Sequence, residues 1–531
     1  MMMMKNIFTL VLFSGYAYML SAQTTFQKTY GGGNDESMFG LAKTNDGGYV
    51  MAGSSLSFLN NYGHSYIIKT DYSGNLLWSK LYFGVTAEGL NSVSETSDHG
   101  LIVSGGCLGF GAGAVDGLLM KTDSLGTIIW AKVYGGPGDD GFNSCVQTFD
   151  GGYIATGFTN SSGAGSYDIL VVRLNSSGDT LWTRIFGGAG WDNAQSIIQT
   201  GNNHFVLCGR TASFSNGLFN NYLIKLDANG NMVWNVQYGG NLQEESWSLK
   251  ELYDNGYIVI GSTESFGSNL YDAYLNRFNS SGNLVWSKIY GGPKIEAFYD
   301  VVTMTDSGFA FTGYTDSFGD GHRGDDSSNI LLIRTDKFGD TLWTRTFGSD
   351  KTEEEFALVK TDDEGLALMS YSSSFGTDSL DVYLIKTDAS GNSHCNETPA
   401  NPFFATVPTV ASVTVPQITR GISVSPAVFT TINPPTFEHV QCFIDGVAEY
   451  QFAEEGLSLF PNPVGNELAV GSLQFAISEV EIYNVMGEKT GNWKLEIGKN
   501  KIDVSILEEG IYFVMVTDEK NNRVVRKIVK M

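Results

Sequence analysis

The chain has 531 residues, with 64 glycines, 13% aromatic residues and only 11 prolines. That length exceeds one ordinary domain, and 17% charged residues is too few for a disordered polyelectrolyte. A formal net charge of −25 argues against nucleic acid and anionic membranes as partners, and leaves cations and neutral polar ligands such as glycans open.

Residues 1–22 read as an export signal. Lys5 is the only early charge, Ile7 to Leu20 form an apolar run, and Ser21-Ala22 offers a small-residue cleavage site before Gln23. The run is short for a membrane span, and no later stretch is apolar enough to cross a bilayer, so no transmembrane segment is expected in the mature protein.

A repeat follows over residues 23–394. Its anchors are Trp78, Trp130, Trp182, Trp234 and Trp286, each 52 residues after the last, and then Trp343 after 57. One step back from Trp78 falls on Phe26 in FQKTYGG; one step on from Trp343 falls on Cys395, where the pattern stops. Each unit reads as four short strands joined by turns rich in Asp, Asn and Gly, as in SMFGLAKT, YVMAGSS, SYIIKTD and LLWSKLY. Four strands per unit and a period near fifty predict an all-β, seven-bladed β-propeller. The piece around Phe26 supplies one strand and the last unit only three, so the N-terminal strand closes the last blade and removes two sheet edges. The recurrent Trp, set just after a glycine turn, is expected to pack between blades.

Two charge registers run through the repeat. Ten residues after each anchor stands a carboxylate: Glu36, Glu88, Asp140, Asp192, Glu244, Glu296 and Glu353. Nine residues before each later anchor position stands a base: Lys69, Lys121, Arg173, Lys225, Arg277, Arg334 and Lys386. The carboxylates are expected in the loop between one blade's outer strand and the next blade's inner strand. Their structural role is to hold that turn through backbone N–H bonds or to pair with the basic register. The functional alternative is an acidic rim for cations, Ca²⁺ being the hard ion that oxygen ligands suit. No cofactor is expected otherwise, and no metal ligands are assigned.

The sixth unit is the exception, because its five extra residues fall in TDSFGDGHRGDDSSN. Asp320, His322, Arg323, Asp325 and Asp326 cluster there and are the candidate ligand-binding residues. A solvated loop insertion is the bland alternative. No HExxH, GxSxG or phosphate loop is present, and the six histidines lack metal-ligand spacing. Catalysis is not expected, although propeller enzymes gather catalytic groups from different blades. Cys107, Cys145 and Cys208 lie in apolar strand patterns and are expected as buried thiols. Cys395 and Cys442 flank a proline-rich segment, and a disulfide between them stays open.

The anchor phrase TDYSGNLLW resembles the sialidase Asp box and the blade motif of quinoprotein dehydrogenases, both of which are structural in their own families. The wording of the repeat, YGG, acids, then TxDGGY, most resembles secreted Bacteroidetes propellers.

Residues 395–455 hold 7 of the 11 prolines and read as a connector or a small irregular β module. From 456 to 531 the pattern alternates again and predicts a small Ig-like sandwich. Its phrases FPNP (Phe460, Pro461, Asn462, Pro463), VEIYNVMGE with Gly487, GIYFVMV with Gly510 and Tyr512, and KIVKM with Lys527 and Lys530 resemble the type A sorting domain of the type IX secretion system. The resemblance implies passage through the periplasm, recognition by the outer-membrane translocon and sorting machinery, and a secreted or outer-surface location. An export-tagged propeller that binds a glycan or protein is the leading expectation. A secreted glycosidase or polysaccharide lyase on a propeller scaffold is the first alternative, and a structural envelope protein the second.

Overall fold

The computed structural model describes residues 23–531 except 59–62, 85–87, 216–217, 269, 320–326, 377–378, 395, 399, 401, 407–416, 419–422, 427–429, 433–436, 445–456, 461–463, 473–476, 485–488, 495–500, 509, 519–522 and 531. The expected export signal, 1–22, lies outside the described residues, as does Cys395 of the Cys395–Cys442 pair. Two compact units divide the chain, the first covering Gln23–Asp445 and the second including Gly446–Met531.

The first unit is a ring of seven antiparallel sheets. Blade 1 holds Glu36–Lys43, Tyr49–Ser55, His64–Thr70 and Leu76–Phe83 in that order from the centre outward. Blades 2 to 6 repeat this order, with inner strands Glu88–Glu95, Asp140–Gln147, Asp192–Gln199, Glu244–Glu251 and Glu296–Thr303. Blade 7 takes Glu353–Lys360, Leu366–Ser372 and Asp381–Thr387 from the end of the repeat and Thr25–Gly31 from its beginning. The closing pair runs from Phe26 opposite Lys386 to Tyr30 opposite Val382. The ring is therefore a seven-bladed propeller closed through its N-terminal strand.

Its core is distributed, because each blade is buried on both faces against its neighbours. Val50, Leu90, Val103 and Leu118 pack between blades 1 and 2; Ile260, Leu275, Phe298 and Phe311 pack between blades 5 and 6. The anchor Trp of one blade covers the outer hairpin turn of the next. A Cβ on Gly178 would lie 3.1 Å from the Trp130 ring, and one on Gly230 2.9 Å from Trp182. That turn glycine also has φ of +75° in Gly178, so two demands coincide there. The first hairpin turn meets only the conformational demand. Its left-handed position is open enough to take His99, Asn203, Asn255, Ser307 and Glu364. Tyrosines of the outer strands reinforce the seam: the Tyr82 hydroxyl donates to Gly126 O at 2.6 Å, and Tyr134 to Gly178 O at 2.7 Å.

Residues 395–455 differ from the expected connector or irregular module. Their described strands walk backward around the ring and add a fifth, antiparallel strand to one blade after another. Glu397–Thr398 joins blade 6, Phe403–Thr406 blade 5, Gln417–Ile418 blade 3, Ser423–Pro426 blade 2, Thr430–Ile432 blade 1 and Phe437–Ile444 blade 7. The physical reason is the unpaired edge that each outer strand otherwise presents. A proline-rich chain suits short edge strands, since it need supply only a few N–H groups before turning away. The last and longest of these strands lies on the closing strand, pairing Phe26 with Phe443 and Gly31 with Phe437.

In the second unit, Leu457–Phe460, Glu467–Ser472 and Lys501–Asp503 form one sheet. Lys489–Lys494, Ile477–Asn484, Gly510–Asp518 and Arg523–Lys530 form the other. Val470, Val480, Ile502, Val514, Val516 and Ile528 make one buried core, as the alternating pattern predicts for a sandwich. Among the described residues of the chain there is no helix long and apolar enough to cross a membrane.

Candidate functional site

The acidic register does not sit in the loops. Each of its members is the first residue of an inner strand, and all seven are buried. Glu36 accepts the Gly32 N–H at 3.0 Å and the Ser55 hydroxyl at 2.6 Å. Asp140 accepts Gly136 N–H at 2.7 Å and Ser161 at 2.6 Å. Glu296 accepts Gly292 N–H at 2.6 Å and Thr315 at 2.8 Å, and Glu353 accepts Ser349 N–H at 3.0 Å and Ser372 at 2.8 Å. Asp192 accepts Gly188 N–H at 2.9 Å, Glu244 accepts the Thr263 hydroxyl at 3.2 Å, and Glu88 faces His64 Nδ1 at 3.1 Å. Burial pushes Glu36 and Glu244 up to about 7.

A second acid stands beside several of these, at the start of the third strand of the preceding blade. Asp116, Asp168, Asp272 and Asp381 lie against the glycine that ends the YGG turn's strand. A Cβ on Gly187 would come 1.9 Å from Asp168 Oδ1 and 2.7 Å from Asp192 Oδ2. Only a glycine fits between two such carboxylates. Burial and the nearby Glu296 raise Asp272 to about 7. Among the described residues, no three His, Cys, Asp or Glu side chains gather as a metal-binding set.

The basic register does not meet the acidic one. Six of the seven bases reach the turn acid at the opposite end of their own blade, among them Lys69 with Asp46 at 2.9 Å, Lys121 with Asp98 at 3.0 Å, Arg173 with Asp150 at 2.6 Å and Lys386 with Asp363 at 2.9 Å. Blade 4 has Asn202 at that turn position, and there Lys225 donates to the Tyr257 hydroxyl at 2.9 Å. Burial lowers the Lys225 pKa.

Asp320, His322, Arg323, Asp325 and Asp326 lie outside the described residues. The strands flanking them, Phe309–Thr315 and Asn329–Thr335, end on the side of blade 6 where Glu296 pairs with Thr315.

The structure brings together a set that sequence reasoning missed. Every inner strand carries a β-bulge at its fourth residue, as in the register shifts between Met38 and Gly40 and between Ser246 and Ser248. A bulge leaves one residue out of the ladder and re-aims its side chain. Those residues are Phe39, Asn91, Asn143, Gln195, Trp247, Tyr299 and Phe356, one per blade, and among the described residues they line a central cavity of about 310 Å³. Each lies thirteen residues after its anchor, and the position varies while its neighbours repeat. That internal variation was the available signal.

The ring is two-sided. Blades 5, 6, 7 and 1 give a continuous aromatic arc, with ring centroids 5.0 Å apart for Trp247–Tyr299, 5.1 Å for Tyr299–Phe356 and 5.0 Å for Phe356–Phe39. Tyr371 stands 5.3 Å behind Phe356, and its hydroxyl donates to Glu354. Blades 2, 3 and 4 give carboxamides. Asn91 donates to Phe142 O at 3.0 Å and Asn143 to Ala194 O at 2.9 Å, each fixing its side chain on the next blade. Burial and the charges of Glu354 and Glu245 hold the Tyr299 phenol above its ordinary pKa, so it stays a donor. None of the seven lining side chains is charged. A larger hollow of about 550 Å³ lies between blades 5 and 6 beside Trp286 and Lys337, in the seam where Trp286 packs on the Gly339 turn.

In the second unit, Gly510 opens a strand opposite Lys530. Tyr512 is buried, and its hydroxyl donates to Glu508 O at 3.1 Å. Phe460 and Lys527 lie in strands, whereas Pro461, Asn462, Pro463 and Gly487 lie outside the described residues.

The protein is thus a propeller joined to a terminal sandwich. Residues 458–531 match the family described as the secretion system C-terminal sorting domain. The chain carries a type IX sorting domain and is secreted to the cell surface through that system. It is 25% identical over 247 residues to the regulatory protein FlaEY of Caulobacter vibrioides, a match covering 41% of this chain and 25% of that protein. Several solved structures resemble it. PorZ, an essential surface component of the type IX secretion system of Porphyromonas gingivalis, is 12% identical with a TM-score of 0.36, covering 94% of this chain and 59% of that one. The extracellular domain of BT4673 from B. thetaiotaomicron is 10% identical with a TM-score of 0.40, covering 94% and 57%. The chain therefore spans a quarter of the curated relative's length and less than two thirds of each of these two structures.

Proposed function

We propose that the protein is a secreted or surface-displayed binding protein whose propeller recognises a glycan or a protein without catalysis. The observation that supports this is the central ring. It departs from the repeat at one position per blade, and its aromatics and amides offer contact surface and hydrogen bonds. Among the described residues its lining has no carboxylate, imidazole, thiol or amine, and the Tyr299 phenol is the one titratable group in it. In this reading the seven buried carboxylates hold their turns, and the Asp320–Asp326 loop adds contacts to the ligand.

The test is a combined binding and degradation screen of the mature protein against host and environmental polysaccharides and surface proteins. Binding without new reducing ends or unsaturated products is expected. Product formation by the purified protein would sink the non-catalytic reading.

A further inference from the structure

We infer that the central cavity is a subsite for an uncharged saccharide, with the sugar's C–H face on the Trp247–Tyr299–Phe356–Phe39 arc and its hydroxyl edge toward Asn91, Asn143 and Gln195. This inference rests on the binding reading and narrows its ligand.

The two-sidedness of the cavity carries the argument. A pyranose has an apolar face of C–H bonds and a rim of hydroxyls, each both donor and acceptor. An aromatic arc opposite a carboxamide arc matches that division, because each amide offers both a carbonyl acceptor and N–H donors. Gln195 makes no side-chain hydrogen bond to the described residues, and neither does the Tyr299 hydroxyl, so both are free to meet a guest. Asn91 donates to Phe142 O and, at 3.5 Å, to Asn143 Oδ1, and Asn143 donates to Ala194 O, which fixes both side chains in advance. Phe39 is 39% exposed, unusual for a phenylalanine at the centre of a ring.

Charge excludes the main competitors. No base lines the cavity to hold a uronate, sulfate or phosphate, and the chain's net charge of −25 opposes polyanions. A cation would favour aromatic rings, yet the neighbouring acids are engaged. Glu245 is ion-paired with Arg210, and Glu354 accepts from Tyr371. The volume, about 310 Å³, lies at the small end for ligand pockets. It suits the end of a chain, one or two sugar units, and not a polysaccharide threaded through the ring.

The experiment is calorimetric titration of the mature full-length protein with cellohexaose, laminarihexaose, maltohexaose, xylohexaose and mannohexaose. Trigalacturonate and a lysine-rich peptide serve as charged comparators. At least one uncharged oligosaccharide is expected to bind at one site per chain. Gln195→Ala and Tyr299→Ala should each weaken it by about tenfold, the scale of one hydrogen bond or one aromatic contact, while Tyr72→Ala on an outer turn leaves it unchanged. Phe39→Ala replaces Tyr299→Ala if the latter unfolds. The inference is overturned if no uncharged oligosaccharide binds, if a charged comparator is preferred, or if the ring variants bind as the wild type does. A protein ligand lost in the same variants would overturn the saccharide but keep the binding reading. Cleavage of a bound oligosaccharide would do the reverse.

Discussion

Gly187→Ala tests whether the repeat's glycine is set by packing against the paired acids. Its backbone is not left-handed, so an added methyl brings no conformational strain. It does bring a Cβ 1.9 Å from Asp168 Oδ1 and 2.7 Å from Asp192 Oδ2. Neither acid can step aside freely. Asp168 Oδ2 accepts Ala164 N–H at 2.9 Å, and Asp192 Oδ2 accepts Gly188 N–H at 2.9 Å. Overpacking a dense interior costs about 1–3 kcal/mol, and losing one hydrogen bond to a carboxylate adds about 1.5–3, so we expect roughly 2.5–6 kcal/mol. Gly151→Ala is the control. Its φ is +81° but no atom lies within 4 Å of the new Cβ. Its penalty of about 1–2 kcal/mol is partly offset by the lower entropy of the unfolded chain. Urea unfolding followed by tryptophan fluorescence should show the larger fall in midpoint for Gly187→Ala. Asp168→Ala should relieve part of it, a coupling of about 1 kcal/mol or more. Equal losses at the two glycines, or strict additivity with Asp168→Ala, would refute the reasoning.

Glu244 titrates at about 7 in the folded protein against an ordinary 4.5, so its contribution is complete below 4.5 and is lost as pH rises through 7. The loss amounts to about 3 kcal/mol at most. Glu244→Gln should therefore flatten the fall in stability between about pH 4.5 and pH 7 without changing ligand affinity, and an unchanged pH profile contradicts the assignment. Asp98 behaves oppositely. Burial works against it, but bonds from Thr96, Lys121 and Gly100 hold it at about 2, so its contribution persists above 3.8 and is lost as pH falls through 2. Asp98→Asn should lower stability near neutral pH and leave that of the most acidic solutions unchanged. Deleting residues 397–444 bares the outer strands of six blades; light scattering should then show self-association, and a monodisperse monomer would argue that the belt is not protecting edges. Deleting 456–531 should strand the protein in the periplasm, and wild-type levels in the medium would contradict the tail's role.

The parts of the fold that were legible are those where one residue type answers to a fixed neighbour. Trp130 recurs because it covers Gly178, and Gly178 recurs because it is both left-handed and beneath Trp130. The odd strand at Phe26 was legible because an open blade would expose its edge. The belt was not, since a two-residue strand such as Glu397–Thr398 has no alternation to show, and its partner Thr346–Phe347 lies on another blade. The acidic register was visible, but its seat was misjudged by one turn, because the strand begins at the carboxylate itself. The central ring escaped because Phe39, Asn91 and Trp247 share no chemistry. They share a bulge, which is a property of the pairing between two strands and not of either residue. The insertion at Asp320–Asp326 drew notice by length, whereas the ring differs from blade to blade only in identity.

Hydrogen–deuterium exchange of the mature protein, with and without whichever ligand the screen identifies, reads out where that ligand sits on the ring. Protection is expected to concentrate on inner-strand segments around residues 39, 91, 143, 195, 247, 299 and 356. Protection confined to the outer strands or the belt, with the inner strands unchanged, would contradict it.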